Sequence, residues 1–257
     1  AVPLTEADES LILSLRDAIP PIYEPRFETA ATAAGWLDEN DVVLGYAADA
    51  AAFAYPVKIL NFHEIVSHDV NGRPIMATYC PLCQSGVVYD RTVNGDVLLF
   101  GNTSALYQSD MVMLDHQTGS YWVQVSGHAV VGTLTGAELT PLPSQMSTWA
   151  QWQALHPATM VLSRNTGYAR SYDRDPFVGY AAQLNRTGQF AFPVSEAGRD
   201  ERLPPGALVL GVQINEETHA FPLETTDLVV INEQIEETAV AIFIQSGTGA
   251  AYRAELN

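Results

Sequence analysis

Two segments of the chain repeat the same short phrases in the same order. Val43-Leu44-Gly45 is followed by Pro56, eleven residues after the glycine, and Val209-Leu210-Gly211 is followed by Pro222 at the same distance. Matched phrases at matched spacing indicate one supersecondary unit that is used twice. The repeat therefore predicts a chain folded from two related units.

The two units are expected at residues 41–91 and 207–253, as pseudo-symmetric halves of one globular domain that spans residues 1–257. A second echo supports these bounds, since Gln84-Ser85-Gly86 recurs as Gln245-Ser246-Gly247. A chain of 257 residues is long enough to bury a large core. Residues that both units share are best explained by the fold, so chemistry is expected where the units differ.

Most of the chain has the pattern of short strands separated by turn residues. Val97-Leu98-Leu99-Phe100 and Met111-Val112-Met113-Leu114 are strand-sized apolar runs, and Asn94-Gly95 is typical of a hairpin turn. The predicted fold class is mainly β with a few short helices (α+β). Helices are expected over residues 5–15, 27–37 and 147–155, the last with Ser147 as its N-cap.

The charge of the chain limits its partners. Twelve basic residues against thirty acidic ones give a formal net charge of −18. Such a surface repels phosphate backbones, so nucleic acid is not an expected partner. It is typical of a solvated surface that resists aggregation, of adaptation to salt, or of affinity for cations. No apolar run reaches the roughly eighteen residues of a membrane-spanning helix, so the chain as given is not expected to span a membrane.

The first residues, Ala-Val-Pro-Leu, include no initiator methionine. Cleavage of a signal peptide leaves such an N-terminus, and so does trimming of a longer chain. We expect an exported protein, located in the periplasm, at the cell surface or outside the cell.

Cys80-Pro81-Leu82-Cys83 is the strongest chemical signal. A Cys-x-x-Cys turn can clamp one metal ion or close a redox disulfide, and the alternative is two buried thiols that pack as small apolar residues. The second unit has Ile242-Phe243-Ile244 where the first has the cysteines. The pair therefore belongs to one unit only, which favours a function added to a duplicated scaffold.

His63 is the expected third ligand. If residues 62–66 and 75–79 pair as a hairpin around Asn71-Gly72, His63 approaches Cys80. Thiolate together with imidazole suits copper(I) or zinc. Met111 and Met113 would add thioether ligands that favour copper, although residues at this spacing more often pack in a core.

A second cluster of charged residues lies in the middle of the chain: Asp90, Arg91, Asp110 and Asp115. Paired carboxylates can serve acid–base chemistry. The same residues also suit an ion pair and the turns between strands, which is the interpretation that the pattern favours.

The segment Ala77-Thr78-Tyr79-Cys80-Pro81-Leu82-Cys83 resembles the prokaryotic domain-of-unknown-function family numbered 3179, found in bacteria and archaea. The resemblance runs from Arg16 almost to Arg253 and includes the phrases at residues 55–66 and 106–110. It implies an exported or membrane-tethered protein and names no activity. It also implies that eight residues occupy signature positions: His63, Glu64, Cys80, Cys83, Asp90, Arg91, Asp110 and Asp115.

Two functions are compatible with these patterns. One is an exported protein of unknown reaction whose Cys80, Cys83 and His63 bind copper or zinc, or whose cysteines form a redox dithiol, supported by Glu64 and the charged cluster. A redox or metal-donor protein would then be its partner. The other is a non-catalytic acidic surface or envelope module that binds a partner or self-assembles, with structural cysteines. The sequence predicts neither a substrate nor a reaction.

Overall fold

The computed structural model describes residues 16–215 and 217–254. These residues are mainly β with a few short helices, as the sequence predicted. In chain order the strands are β1 (Phe27–Thr29), β2 (Val42–Ala48), β3 (Ala51–Pro56), β4 (Ile65–Val70), β5 (Arg73–Cys80), β6 (Ser85–Asp90), β7 (Thr92–Val93), β8 (Asp96–Val97), β9 (Phe100–Tyr107), β10 (Asp110–Asp115), β11 (Tyr121–Val123), β12 (Ala129–Val131), β13 (Thr140–Leu142), β14 (Ser144–Thr148), β15 (Met160–Leu162), β16 (Val209–Ile214), β17 (Glu217–Pro222), β18 (Val229–Ile235), β19 (Thr238–Gln245) and β20 (Thr248–Arg253). The helices are α1 (Ala30–Ala33), α2 (Val57–His63), α3 (Trp149–Leu155) and α4 (Tyr180–Thr187), with a 3₁₀ turn at Glu196–Gly198.

The larger sheets come from the first two thirds of the chain. One has the order β1-β15-β3-β2-β14, with β15 parallel to β3. The other two are antiparallel and have four strands each, in the orders β13-β6-β5-β4 and β12-β11-β10-β9. The C-terminal part forms the β16-β17 hairpin and the β18-β19-β20 meander, and β7 and β8 pair as a small hairpin.

One core cluster joins the two four-stranded sheets. It takes side chains from β5 and β6 and from β9, β10 and β11, including Met76, Cys80, Tyr89, Phe100, Met113 and Trp122. Every residue of β10 is buried, as are the last six residues of β5. The continuous apolar run at residues 111–114 is what a strand covered on both faces requires. Cys80 is therefore a core residue, placed where these two sheets meet.

Of the three predicted helices, one is confirmed, one is only partly helical, and one lies outside the described residues. The helix over residues 5–15 lies outside the described residues. Residues 27–37 are not one helix, because Phe27–Thr29 pairs with β15 and leaves the four residues of α1, capped by Thr29. The third helix is confirmed as α3, but its N-cap is Thr148 in a capping box with Gln151. Ser147 belongs to β14 instead.

Helix α2 was not predicted. It starts directly after Pro56 and buries Ile59, Leu60 and His63. Its C-cap is Glu64, whose φ of 58° turns the chain into β4. Among the described residues no helix is both long and apolar enough to cross a membrane.

The two expected repeat units have related local topology. The first contains the hairpin β2–β3 and then the meander β4–β5–β6, and the second contains β16–β17 and then β18–β19–β20. In the hairpins, Gly45 is paired with Ala54 and Gly211 with Ala220. The Gln-Ser-Gly echo does not fall at matching positions. Ser85 begins β6 after a four-residue turn, whereas Ser246-Gly247 is itself the two-residue turn between β19 and β20.

Candidate metal centre

Cys80 precedes the turn that joins β5 to β6, and Cys83 lies within that turn. Cys80 ends β5, pairs across the turn with Ser85, and is 1% exposed. The turn consists of residues 81–84, and Gln84, which follows Cys83, has a φ of 54° in the left-handed region. Both thiols are free. The sequence therefore folds locally into a turn that projects two sulfurs to one place.

Asp110 joins the cysteines from another sheet. It begins β10 directly after the turn Gln108-Ser109, in which both residues have positive φ. One carboxylate oxygen of Asp110 and the sulfurs of Cys80 and Cys83 all lie within 4.8 Å of one another. Three atoms at this spacing can converge on a single cation.

Hydrogen bonds hold this group in position. The Cys83 thiol donates to Asp110 Oδ1 at 3.2 Å and contacts Ser85 Oγ at 3.0 Å. The other oxygen, Asp110 Oδ2, accepts from the backbone N–H of Val125 at 2.9 Å. Ser85 Oγ in turn donates to Gln124 Oε1 at 2.8 Å. Outer partners of this kind fix the orientation of metal ligands.

The electrostatics of the group disfavour negative charge in the absence of a cation. The hydrogen bond to Cys80, then burial, then the nearby charges of Cys80 and Asp110 raise the pKa of the Cys83 thiol well above its ordinary value. Burial also raises the pKa of Asp110, against the hydrogen bonds that it accepts. Reactive thiolates instead need a cationic or helix N-terminal neighbour that lowers their pKa. The two thiols and the carboxyl group of Asp110, each of which can lose a proton, thus lie together in one partly buried site.

A cavity of about 200 Å³ adjoins the cysteines. Its lining includes Cys80, Glu64, Asn102 and Met111, but not Cys83. The Asn102 side-chain amide donates to a carboxylate oxygen of Glu64 and also lies 3.5 Å from Met111 Sδ. Burial raises the pKa of Glu64 to about 7, and the bond from Asn102 opposes that shift. The structure thus places Glu64 next to the cysteines, together with Met111; Met113 is fully buried in the core.

His63 does not lie with the cysteines. Its Nδ1 is 2.7 Å from the carbonyl oxygen of Pro20 and its Nε2 is 2.7 Å from the hydroxyl of Tyr172, so both ring nitrogens are engaged elsewhere. It is not among the ligand atoms gathered around the two sulfurs. Burial lowers the pKa of His63, which favours the neutral ring. The expected approach of His63 to Cys80 is thus not observed, because α2 ends at His63 and the chain turns at Glu64.

The other charged residues of the predicted set have separate local partners. Asp90 accepts from the N–H of Thr92 and lies 3.7 Å from Arg73. Arg91 donates to the carbonyl of Leu98 at 2.8 Å.

Asp115 is fully buried and accepts from Thr118 and from Trp122 Nε1 at 3.0 Å. The contacts of Asp90, Arg91 and Asp115 show that these residues stabilise turns and the packing of strands. Asp110 alone of the charged cluster lies with the two cysteines.

The sequence predicted Asp110 as a possible supporting residue of the site, although its pattern favoured an ion pair or a turn, and it predicted no role at the site for Ser85 or Gln124. Asp110 is 27 residues from Cys83 in the chain, and the contact depends on how two sheets pack. The usable signal was the family phrase at residues 106–110, which ends at this aspartate.

A family model described as "Protein of unknown function (DUF3179)" matches residues 16–256, which is nearly the whole chain. No curated protein matches the chain, and no solved structure matches it either.

Proposed function

Because the chain belongs to the family of proteins of unknown function DUF3179, whose description names no activity, we propose a function from the site: the protein binds one zinc ion through Cys80, Cys83 and Asp110. The observation that carries this proposal is the convergence of two sulfurs and a carboxylate oxygen within 4.8 Å. Ligands of a tetrahedral zinc ion lie about 3.5–3.8 Å from one another, given Zn–S near 2.3 Å and Zn–O near 2.1 Å. Small side-chain rotations are enough to reach that spacing.

Charge supports a metal ion over a free dithiol. A divalent cation would replace the thiol protons and offset the cost of ionising Cys83 and Asp110, whose pKa values are both raised. A redox dithiol would instead require a thiolate, and the nearest charged partner of Cys83 is the carboxyl of Asp110. Arg91, which could have lowered the thiol pKa, donates to Leu98 elsewhere.

The ligand types favour zinc over copper(I). Zinc accepts sulfur and carboxylate oxygen together, whereas copper(I) prefers thiolate and thioether. Copper(I) is the second candidate because the thioether of Met111 lies in the cavity wall beside Cys80. Three protein ligands would leave a fourth position for water or another molecule, as in zinc sites that are not purely structural.

The test is the metal content of the protein purified without chelators and under reducing conditions. We expect about one zinc per chain by mass spectrometry of the eluted metal. The variants C83S and D110N should each weaken zinc binding by more than about 100-fold, since even partners of metal ligands contribute 10–100-fold. D173N is the matched control, because Asp173 is an exposed carboxylate paired with Arg164.

Three other results would contradict the proposal, each in a different way. Stoichiometric copper that is lost on Met111→Leu would assign a copper(I) site. No metal together with a reversible two-electron thiol titration would assign a dithiol. Neither metal nor titratable thiols, with C83S unfolding at lower denaturant, would make the cysteines structural and favour the acidic module that binds a partner.

We also infer that residues 41–91 and 207–253 descend from one duplicated unit. The equal hairpin registers at Gly45 and Gly211 support this, as does the hairpin-then-meander order in both units. Superposing the two units strand by strand tests it. A best superposition that matches the hairpins but leaves the meanders unaligned would contradict the duplication.

A further inference from the structure

The cavity beside Cys80 has an apolar body and one acidic end. Its apolar wall includes Leu82, Leu106, Phe177 and Phe192. Phe192 is 39% exposed, so this ring lies where the cavity meets solvent. The acidic end is formed by Glu64. A cavity with this division fits a ligand that has an apolar chain and a single polar head.

Glu64 is held in the cavity wall with one oxygen uncommitted. The residue is 6% exposed, and its Oε2 accepts from the side-chain amide of Asn102. Among the described residues the structure gives Oε1 no hydrogen-bond partner. Oε1 is not among the described buried polar atoms that lack a partner, so it is accessible at the cavity wall. A carboxylate oxygen that faces a cavity can accept a hydrogen bond from a ligand that enters it.

The charge of the head group follows from the lining. None of the described residues that line the cavity is lysine, arginine or histidine, so Glu64 faces no positive charge there. Asp110 and Cys83 lie close to Cys80 but do not belong to the described cavity lining. An anionic head would be repelled by the Glu64 carboxylate, and a neutral head would leave that carboxylate without a counter-charge. A cationic head group is therefore favoured.

We propose that this cavity binds a small primary alkylammonium ion, with the ammonium group paired with Glu64 and the alkyl chain packed against Leu82, Phe177 and Phe192. The volume of the cavity limits the size of the ligand. A cavity of about 200 Å³ equals roughly seven water molecules at liquid density, which suits an amine of about seven non-hydrogen atoms. The inference does not rest on metal binding, since none of the proposed amine contacts is a metal ligand.

The test compares hexylamine with 1-hexanol by calorimetric titration into the full chain at pH 8. The two probes have the same shape and the same number of non-hydrogen atoms, so a difference between them reports the charge of the head group. We expect saturable binding of hexylamine and at least about tenfold weaker binding of hexanol, since hydrogen bonds to charged groups are worth more than neutral ones.

Two variants and one control locate the site. E64Q keeps the size of the side chain, removes its charge, and should weaken hexylamine binding by at least about tenfold while leaving hexanol unchanged. F192A changes an exposed ring and should weaken hexylamine binding about three- to tenfold. E224Q removes the charge of an exposed glutamate and should have no effect. Circular dichroism checks that each variant is folded.

Equal affinities for hexylamine and hexanol, no saturable binding of hexylamine, or a folded E64Q that binds hexylamine as tightly as the wild type would each overturn the proposal. The titrations are repeated in EDTA and in zinc, because an amine could also ligate a metal ion directly. Binding seen only with zinc would overturn the assignment to Glu64 and leave the metal site standing. Binding in both conditions without measurable zinc would support the amine site alone.

Discussion

Replacing Glu64 by glutamine should make the protein more stable at alkaline pH and leave it nearly unchanged in acid. Glutamine has the shape of the protonated acid and can still accept the hydrogen bond that Asn102 donates to Glu64. What it removes is a carboxylate that is 6% exposed and has no cation beside it among the described residues. The variant therefore isolates the free energy of ionising one buried group.

The magnitude follows from the pKa of Glu64, which burial raises from 4.5 to about 7 in the folded protein. Because the folded pKa lies above the unfolded value, the folded state holds its proton longer, and stability is lost as pH rises between these two values. A difference of about 2.5 pKa units corresponds to at most about 3 kcal/mol. E64Q should therefore exceed the wild type by up to about 3 kcal/mol at pH 8 and by less than about 0.5 kcal/mol at pH 4.5.

Urea unfolding followed by tryptophan fluorescence, with EDTA and a reductant present, measures this difference at both pH values. The control is E224Q, in which the replaced carboxylate is exposed and no pKa shift of Glu224 is resolved. An E64Q variant that is less stable than the wild type at pH 8 would refute the reasoning. It would mean that the ionised carboxylate, accepting from Asn102, is the form that the fold stabilises.

Two further predictions concern the hairpin glycines and the thiols. Gly45→Ala should destabilise the protein by about 1–3 kcal/mol, because the added Cβ would overlap the buried ring of Trp152, whereas Gly211→Ala, at the matching hairpin position with open space around it, should change stability by less than about 0.5 kcal/mol in the same unfolding assay. Equal effects of the two alanines would contradict this account. Zinc affinity measured with a competing chelator should fall roughly 100-fold from pH 7.5 to 6.5, because two thiol protons must leave for each bound ion and the pKa of Cys83 is raised. A tenfold fall would mean that only one proton is displaced.

The hairpin around Asn71-Gly72 could be predicted because its signals are local. The sequence predicted that residues 62–66 pair with residues 75–79, and the structure pairs Ile65 with Thr78 and Val66 with Ala77. The prediction is wrong for the residues just before Ile65, which belong to helix α2 and its C-cap. The hairpin prediction placed residues 62 and 63 in a strand, whereas they end helix α2, which at seven residues is too short to show a clear helical period in the sequence. Helix α2 and its C-cap Glu64 were therefore not predicted.

That single error decided the predicted metal ligand. In an extended segment His63 would have continued the strand towards Cys80. As the last residue of α2 it instead reaches Pro20 and Tyr172, which is 109 residues away in the chain. The cysteines could be predicted from their spacing alone. Asp110 could not be chosen over Asp90 or Asp115 without knowing which sheet packs on which, because all three end or begin strands.

The segment 207–253 shows how a hairpin followed by a three-stranded meander can be connected without cysteines. Strands β5 and β19 are each eight residues long, and each is the middle strand of its meander. Their last residues, Cys80 and Gln245, therefore occupy corresponding positions, and the apolar run 242–244 does not correspond to Cys80. The second unit closes that connection with the two residues Ser246-Gly247, whereas the first uses residues 81–84.

The longer turn includes Cys83, and it places Gln84 in a left-handed conformation that costs a residue other than glycine about 1–2 kcal/mol. Ser109, beside the same cysteines, carries a similar strain. A shorter turn without the two extra residues is available within the same chain, although Ser246 in that turn also has a positive φ of 53°. Under the zinc proposal the two additional residues bring the Cys83 sulfur to the metal, and the proposal therefore requires that C83S lose zinc while the unfolding free energy of the metal-free protein stays unchanged.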